Sequence, residues 1–123
     1  MPSSLVAIVD DDVSVGRALT RLLRSADLRV LTYTSATEFL DTGISSVLDC
    51  VILDIHLGGM SGLELLSRLR ELGHNLPVLI ITAHDDAQAR EAAARGGCAA
   101  YLLKPLDAKV LLEEVAAAVK SVA

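Results

Sequence analysis

A chain of 123 residues is long enough for one domain that buries about two-thirds of its unfolded surface. Hydrophobic residues make up 52%, but Tyr33, Phe39 and Tyr101 are the only aromatic ones, so the core must be built from Leu, Val, Ile and Ala. A net charge of −5 argues against direct nucleic-acid binding; Cys50 and Cys98 are too few for a disulfide framework, and the absence of a signal-like or membrane-length apolar run leaves a soluble cytoplasmic protein as the expectation.

Five short apolar runs alternate with helix-period segments. The runs are Leu5–Val9, Val30–Tyr33, Cys50–Leu53, Val78–Ile81 and Ala99–Leu103. Several are apolar without alternation, the pattern of strands covered on both faces of a parallel sheet. Helical segments begin near Val13, Ala36, Gly62, Ala87 and Asp107. In the first, Val15, Leu19, Leu22 and Ala26 share one face while Arg17, Arg21 and Arg24 point elsewhere. Ser35 and Asp107 are suitable N-caps, and Gly43, Gly73 and Gly96–Gly97 are suitable stops. The fourth helix, Ala87–Arg95, has only alanines as apolar residues, so it should form readily and be weakly anchored.

This (βα)₅ alternation predicts one α/β domain over residues 1–123 with a doubly wound, five-stranded parallel sheet. The flavodoxin-like order 2-1-3-4-5 is expected, with the ligand site at the β1/β3 switch point. Asp10 and Asp11 then lie at the carboxyl end of strand 1, Asp54 ends strand 3, Thr82 ends strand 4 and Lys104 follows strand 5. Crowded carboxylates repel unless protonated, hydrogen-bonded or bridged by a cation, and oxygen ligands on a short loop suit Mg²⁺. Such an ion would let a carboxylate approach a phosphoryl group, with Lys104 and the Thr82 hydroxyl binding other phosphoryl oxygens. Asp12, Asp85 and Asp86 read as helix-start charges.

Four stretches stand in this order: Ile8-Val-Asp-Asp-Asp12, Leu53-Asp-Ile-His-Leu-Gly-Gly-Met-Ser-Gly62, Ile81-Thr-Ala83 and Tyr101-Leu-Leu-Lys-Pro105. From about Val6 onward the chain resembles a response-regulator receiver domain of two-component signalling, most closely those preceding LuxR-type DNA-binding domains. The resemblance implies that Asp54 accepts phosphate from a sensor histidine kinase. It also implies Mg²⁺ binding by Asp11, Asp54 and the backbone carbonyl of His56, with Asp10 acting through water. Thr82 and Lys104 would be phosphate contacts, and Tyr101 an aromatic switch. Phosphorylation-dependent homodimerisation through the fourth helix, strand 5 and fifth helix is a further expectation, as are self-phosphorylation from phosphodonors and slow self-dephosphorylation.

The chain departs from the family where Leu57-Gly58 replaces a common Met-Pro, which is expected to loosen the loop to Gly62. His56 and His84 stand two residues beyond Asp54 and Thr82, so both imidazoles are candidate modulators of water reaching an acyl phosphate. Two other functions share these features. A haloacid-dehalogenase-type phosphatase would use Asp10, but the second acidic pair it needs after the lysine is missing and Asp54 would have no task. A flavodoxin-like cofactor binder would need a phosphate-cradling first loop and stacking aromatics, where the chain offers acid and few rings.

Overall fold

A computed structural model describes residues 3–44 and 47–120. Five strands, β1 (Leu5–Val9), β2 (Arg29–Tyr33), β3 (Cys50–Asp54), β4 (Val78–Thr82) and β5 (Ala100–Leu103), form one parallel sheet in the order β2-β1-β3-β4-β5. The expected topology is therefore observed. Every residue of β1, β3 and β4 is buried, which explains why these runs carry no polar alternation. The edge strand β2 is mostly exposed.

The helices are α1 (Val13–Ser25), α2 (Ala36–Glu38), α3 (Gly62–Glu71), α4 (Ala87–Arg95) and α5 (Ala108–Lys120). On one face of the sheet, Val6, Ile8, Ile52, Leu79 and Ile81 pack with Leu19 and Leu23 of α1 and Leu111 and Val115 of α5. On the other, Ala7, Val9, Val51, Leu53 and Ile80 pack with Phe39, Leu65, Leu66 and Leu69. Each fully buried Leu or Ile contributes on the order of 1.5–3 kcal/mol, so the two layers fix the sheet without large aromatics.

Local chemistry sets the helix ends. Asp12 caps α1 by accepting from the Ser14 and Val15 amides, Ser35 caps α2, Asp86 caps α4, and Asp107 accepts from the Val110 amide. Ser61 and Glu64 form a reciprocal capping box at α3. The second helix differs from the regular one expected between Ala36 and Gly43. After one α-turn it widens into a π-helical stretch, Phe39–Gly43. A Cβ on Gly43 would lie 2.5 Å from the Phe39 ring and 2.8 Å from the Tyr33 ring, so that wall closes only around glycine. In α5, Leu111 and Val115 are core, whereas Val110 is 42% exposed.

Candidate functional site

The switch between β1 and β3 opens a crevice at the carboxyl ends of the strands, and the sheet register brings the acidic residues into it. Asp10 and Asp54 are buried and Asp11 is exposed; one carboxylate oxygen from each lies within 4.8 Å of the others. Among the described residues this is the one group of three or more such side chains able to hold a metal ion. All the donors are hard oxygens, which suits Mg²⁺ and not a thiophilic ion.

Asp10 is held on both oxygens. Its Oδ1 accepts from the Asp12 amide at 2.9 Å, and its Oδ2 accepts from Lys104 Nζ at 3.0 Å. The same ammonium is 3.6 Å from Asp54 Oδ1. Lys104 is delivered by the end of β5, where its amide bonds the Thr82 carbonyl at 2.7 Å and a cis peptide leads into Pro105. These neighbours shift the ionisations. Burial, followed by the charge of Asp10, raises the Asp54 carboxyl above the ordinary aspartate range; Lys104 and the His56 amide oppose them but do not prevail. Burial works against the Lys104 charge, yet the hydrogen bond and charge of Asp10, then Asp54, outweigh it and raise the ammonium's pKa. Such a site favours an added cation.

Thr82 is fully buried at the end of β4, one residue beyond the register partner of Asp54. Its hydroxyl is engaged in a local turn: it accepts from the His84 amide at 3.2 Å and donates to the His84 carbonyl at 3.3 Å. It is thus at the rim but turned toward the β4–α4 loop. His56 and His84 meet edge to face with ring centroids 5.0 Å apart, a contact between two loops that no sequence spacing revealed.

Tyr101 lies on β5, half-buried against the core, with the Arg90 guanidinium 4.6 Å from its ring centroid. Its hydroxyl is buried and has no hydrogen-bond partner among the described residues. Burial accordingly raises its pKa, although Arg90 opposes this. The acidic residues expected at helix starts are found there: Asp12 and Asp86 are caps, and Asp85 pairs with Arg90 at 3.0 Å.

One contributor escaped the sequence reading. Gly62 begins α3 directly against the end of β3, where a Cβ would lie 2.1 Å from the Asp54 carbonyl oxygen and 3.0 Å from Ile55 Cα. The Gly62 amide bonds the Ile55 carbonyl at 2.9 Å. A glycine immediately after a capping serine was the available signal. The two cysteines contribute no site chemistry: the Cys50 thiol is buried and pushed up to about 12, chiefly by desolvation.

The family model of the response regulator receiver domain matches residues 6–116. The chain belongs to that family. Among curated relatives, the transcriptional regulatory protein TdiR of Thauera aromatica is 42% identical over 94% of this chain and 51% of its own length. The transcriptional regulatory protein FixJ of Azorhizobium caulinodans is 39% identical over 95% of this chain and 56% of its own. The receiver therefore spans about half the length of these relatives. A response regulator receiver protein from Burkholderia phymatum is 45% identical, covering 96% of each chain with a TM-score of 0.83. Receiver domains are phosphorylation-operated switches of two-component response regulators, which partner with sensor histidine kinases and are generally not enzymes. Among the described residues no helix is long and apolar enough to cross a membrane.

Proposed function

We propose that Asp54 accepts a phosphoryl group from a phosphohistidine of a sensor histidine kinase and that the modified domain acts through α4, β5 and α5. The observation that carries this reading is the convergence of Asp10, Asp11 and Asp54 within 4.8 Å, with Lys104 Nζ 3.6 Å from Asp54. In the transfer an Asp54 oxygen forms the new P–O bond. The P–N bond breaks, its electron pair stays on the kinase imidazole, and that nitrogen takes up a proton. Only ionised Asp54 is a nucleophile, and Lys104 favours that form against burial and Asp10. Mg²⁺, held by Asp11, Asp54 and the His56 backbone carbonyl with Asp10 through water, would supply the positive charge that lets a phosphoryl group approach.

The phosphoryl group then recruits groups already at the rim. Lys104 binds one oxygen as a point charge. The Thr82 hydroxyl leaves the His84 backbone to donate to another. Movement of that loop changes the packing around Tyr101, whose unpartnered hydroxyl marks the present arrangement as one that another can replace. Leu103 and Val110, each 42% exposed, give the α4–β5–α5 surface apolar area for a phosphorylation-dependent homodimer or another output. His56 and His84 stand as modulators of water access, and self-phosphorylation from small phosphodonors and slow self-dephosphorylation use the same groups. We read residues 1–123 as a single receiver domain acting in the cytoplasm, which the free cysteines suit.

The test is beryllofluoride with Mg²⁺, followed by ¹H–¹⁵N NMR. Shifts are expected around Asp54, Thr82, Tyr101 and α4 in the wild type and none in Asp54→Asn. An unresponsive wild type, or a response that survives Asp54→Asn, rejects the assignment.

A further inference from the structure

Beside the carboxylate cluster, which it meets at Asp10, a cleft of about 480 Å³ lies between α1 and the edge strand β2. Arg17, Arg21 and Arg24 line it from the helix, and Val30 and Thr32 from the strand. All three arginines are exposed, and none makes a hydrogen bond or ion pair through its guanidinium among the described residues. They stand at i, i+4 and i+7 on a chain of net charge −5. Like charges at such spacing work against an isolated helix, so this row is not explained by helix stability.

The strand beside the row is open. Arg29 donates its amide to Ser4, and Tyr33 accepts from the Asp10 amide, so these two residues direct their backbone groups toward β1. Alternation along the strand then turns the N–H and C=O groups of Val30 and Thr32 outward, at the sheet edge. The side chains of Val30 and Thr32 face the α1 layer and the arginines, while Leu31, 44% exposed, faces the opposite layer.

We propose that this cleft takes an extended acidic segment of a partner protein, which pairs with β2 as a sixth strand. The backbone edge supplies the hydrogen bonds and the alternating faces supply the selectivity. Residues of the segment facing α1 carry Asp or Glu; those between them are apolar and rest on Leu31. The spacings agree: Arg17 and Arg21 are about 6 Å apart along the helix axis, and alternate residues of a strand advance about 6.6 Å. Arginine side chains are long enough to absorb the difference. The proposal does not rest on the reading of Asp54 as phosphoacceptor, although the cleft reaches Asp10.

An octapeptide with Glu at every second position and Val or Thr between tests it. Titration into the full chain is expected to shift the α1 and β2 amides and to slow hydrogen exchange at Val30 and Thr32. Replacing Arg17, Arg21 and Arg24 together by Ala should weaken binding about tenfold, while the response to beryllofluoride stays intact and verifies the fold. A peptide N-methylated at alternate backbone positions should lose binding in one of its two registers. Equal binding of a Lys-for-Glu peptide, binding with no protection at Val30 and Thr32, or no binding at millimolar peptide overturns the proposal. A response to inorganic tripolyphosphate but not to the peptide also overturns it, marking a small-anion site instead.

Discussion

Replacing Gly62 by Ala tests how closely the third helix is seated on the strand that carries Asp54. The new Cβ would begin 2.1 Å from the Asp54 carbonyl oxygen and 2.9 Å from the carbonyl carbon, both backbone atoms that no rotamer change can move aside. Relief to an ordinary contact of 3.4 Å or more requires at least about 1.3 Å of separation between the start of α3 and the end of β3. Overpacking of this kind costs about 1–3 kcal/mol. Loosening the Gly62 amide bond to Ile55 adds about 0.5–1.5 kcal/mol. The helix-propensity gain of Ala over Gly offsets up to about 1 kcal/mol. The net loss is about 0.5–3.5 kcal/mol, and at about 4 °C per kcal/mol for a domain of this size Tm falls by about 2–14 °C.

Because the displaced atoms belong to Asp54 and Ile55, the same substitution should weaken Mg²⁺ binding about tenfold. Calorimetric melting and a Mg²⁺ titration of each variant measure the two effects. Gly58→Ala is the control: a Cβ there meets nothing within 4 Å, so it should be neutral or stabilise by up to about 1 kcal/mol. A Gly62→Ala protein that melts within 2 °C of the wild type and keeps its Mg²⁺ affinity would refute the close-seating argument.

Two further outcomes follow from single residues. Folded Asp54 titrates above the ordinary aspartate range, so the folded state binds more protons than the unfolded one, and stability falls as pH rises through that interval before levelling off. In chelator, Asp54→Asn should therefore melt above the wild type at pH 7, with the difference vanishing below the ordinary carboxylate range; Mg²⁺ at ten times its Kd should return about 1.4 kcal/mol to the wild type. Asp27 holds a φ of 64°, so Asp27→Gly should gain about 0.5–1 kcal/mol and Asp27→Val lose about 1–2 kcal/mol in denaturant melts; the reverse order would contradict the left-handed turn.

What the sequence made legible was periodic or local. Continuous apolar runs announced β1, β3 and β4 because burial on both faces leaves no polar alternation. The capping residues Ser35 and Asp107 were visible because a side-chain oxygen beside an amide is a two- or three-residue event. Contacts made at long range were not. Arg70 bonds the carbonyls of His74, Leu76, Gly96 and Gly97, tying the end of α3 to the turn before β5, and no spacing in the chain encodes that. The π-helical widening at Phe39–Gly43 likewise lies against the Tyr33 ring, which approaches from another element. The carboxylate cluster fell between these cases: its members are distant in sequence, but the strand-order rule alone placed Asp10 and Asp54 side by side.

The distribution of burial also explains why a change at the crevice would be expressed at α4. One ammonium pairs with two of the three clustered carboxylates, Asp10 and Asp54, so adding a cation or a phosphoryl group alters the balance of charge at the ends of β1, β3 and β5 together. The elements on that rim are not equally able to respond. α3 is fixed by three buried leucines, Leu65, Leu66 and Leu69, each contributing on the order of 1.5–3 kcal/mol, together with its capping box. α4 buries only Ala93, whose methyl group contributes far less, and its remaining ties include the exposed Asp85–Arg90 pair and the Arg90 contact with Tyr101. The loop that starts α4 is the one whose backbone is held by the Thr82 hydroxyl. In the proposed mechanism, withdrawing that hydroxyl would remove a restraint from this weakly anchored helix, so α4 and the Tyr101 ring beneath Arg90 are the parts expected to repack at least cost.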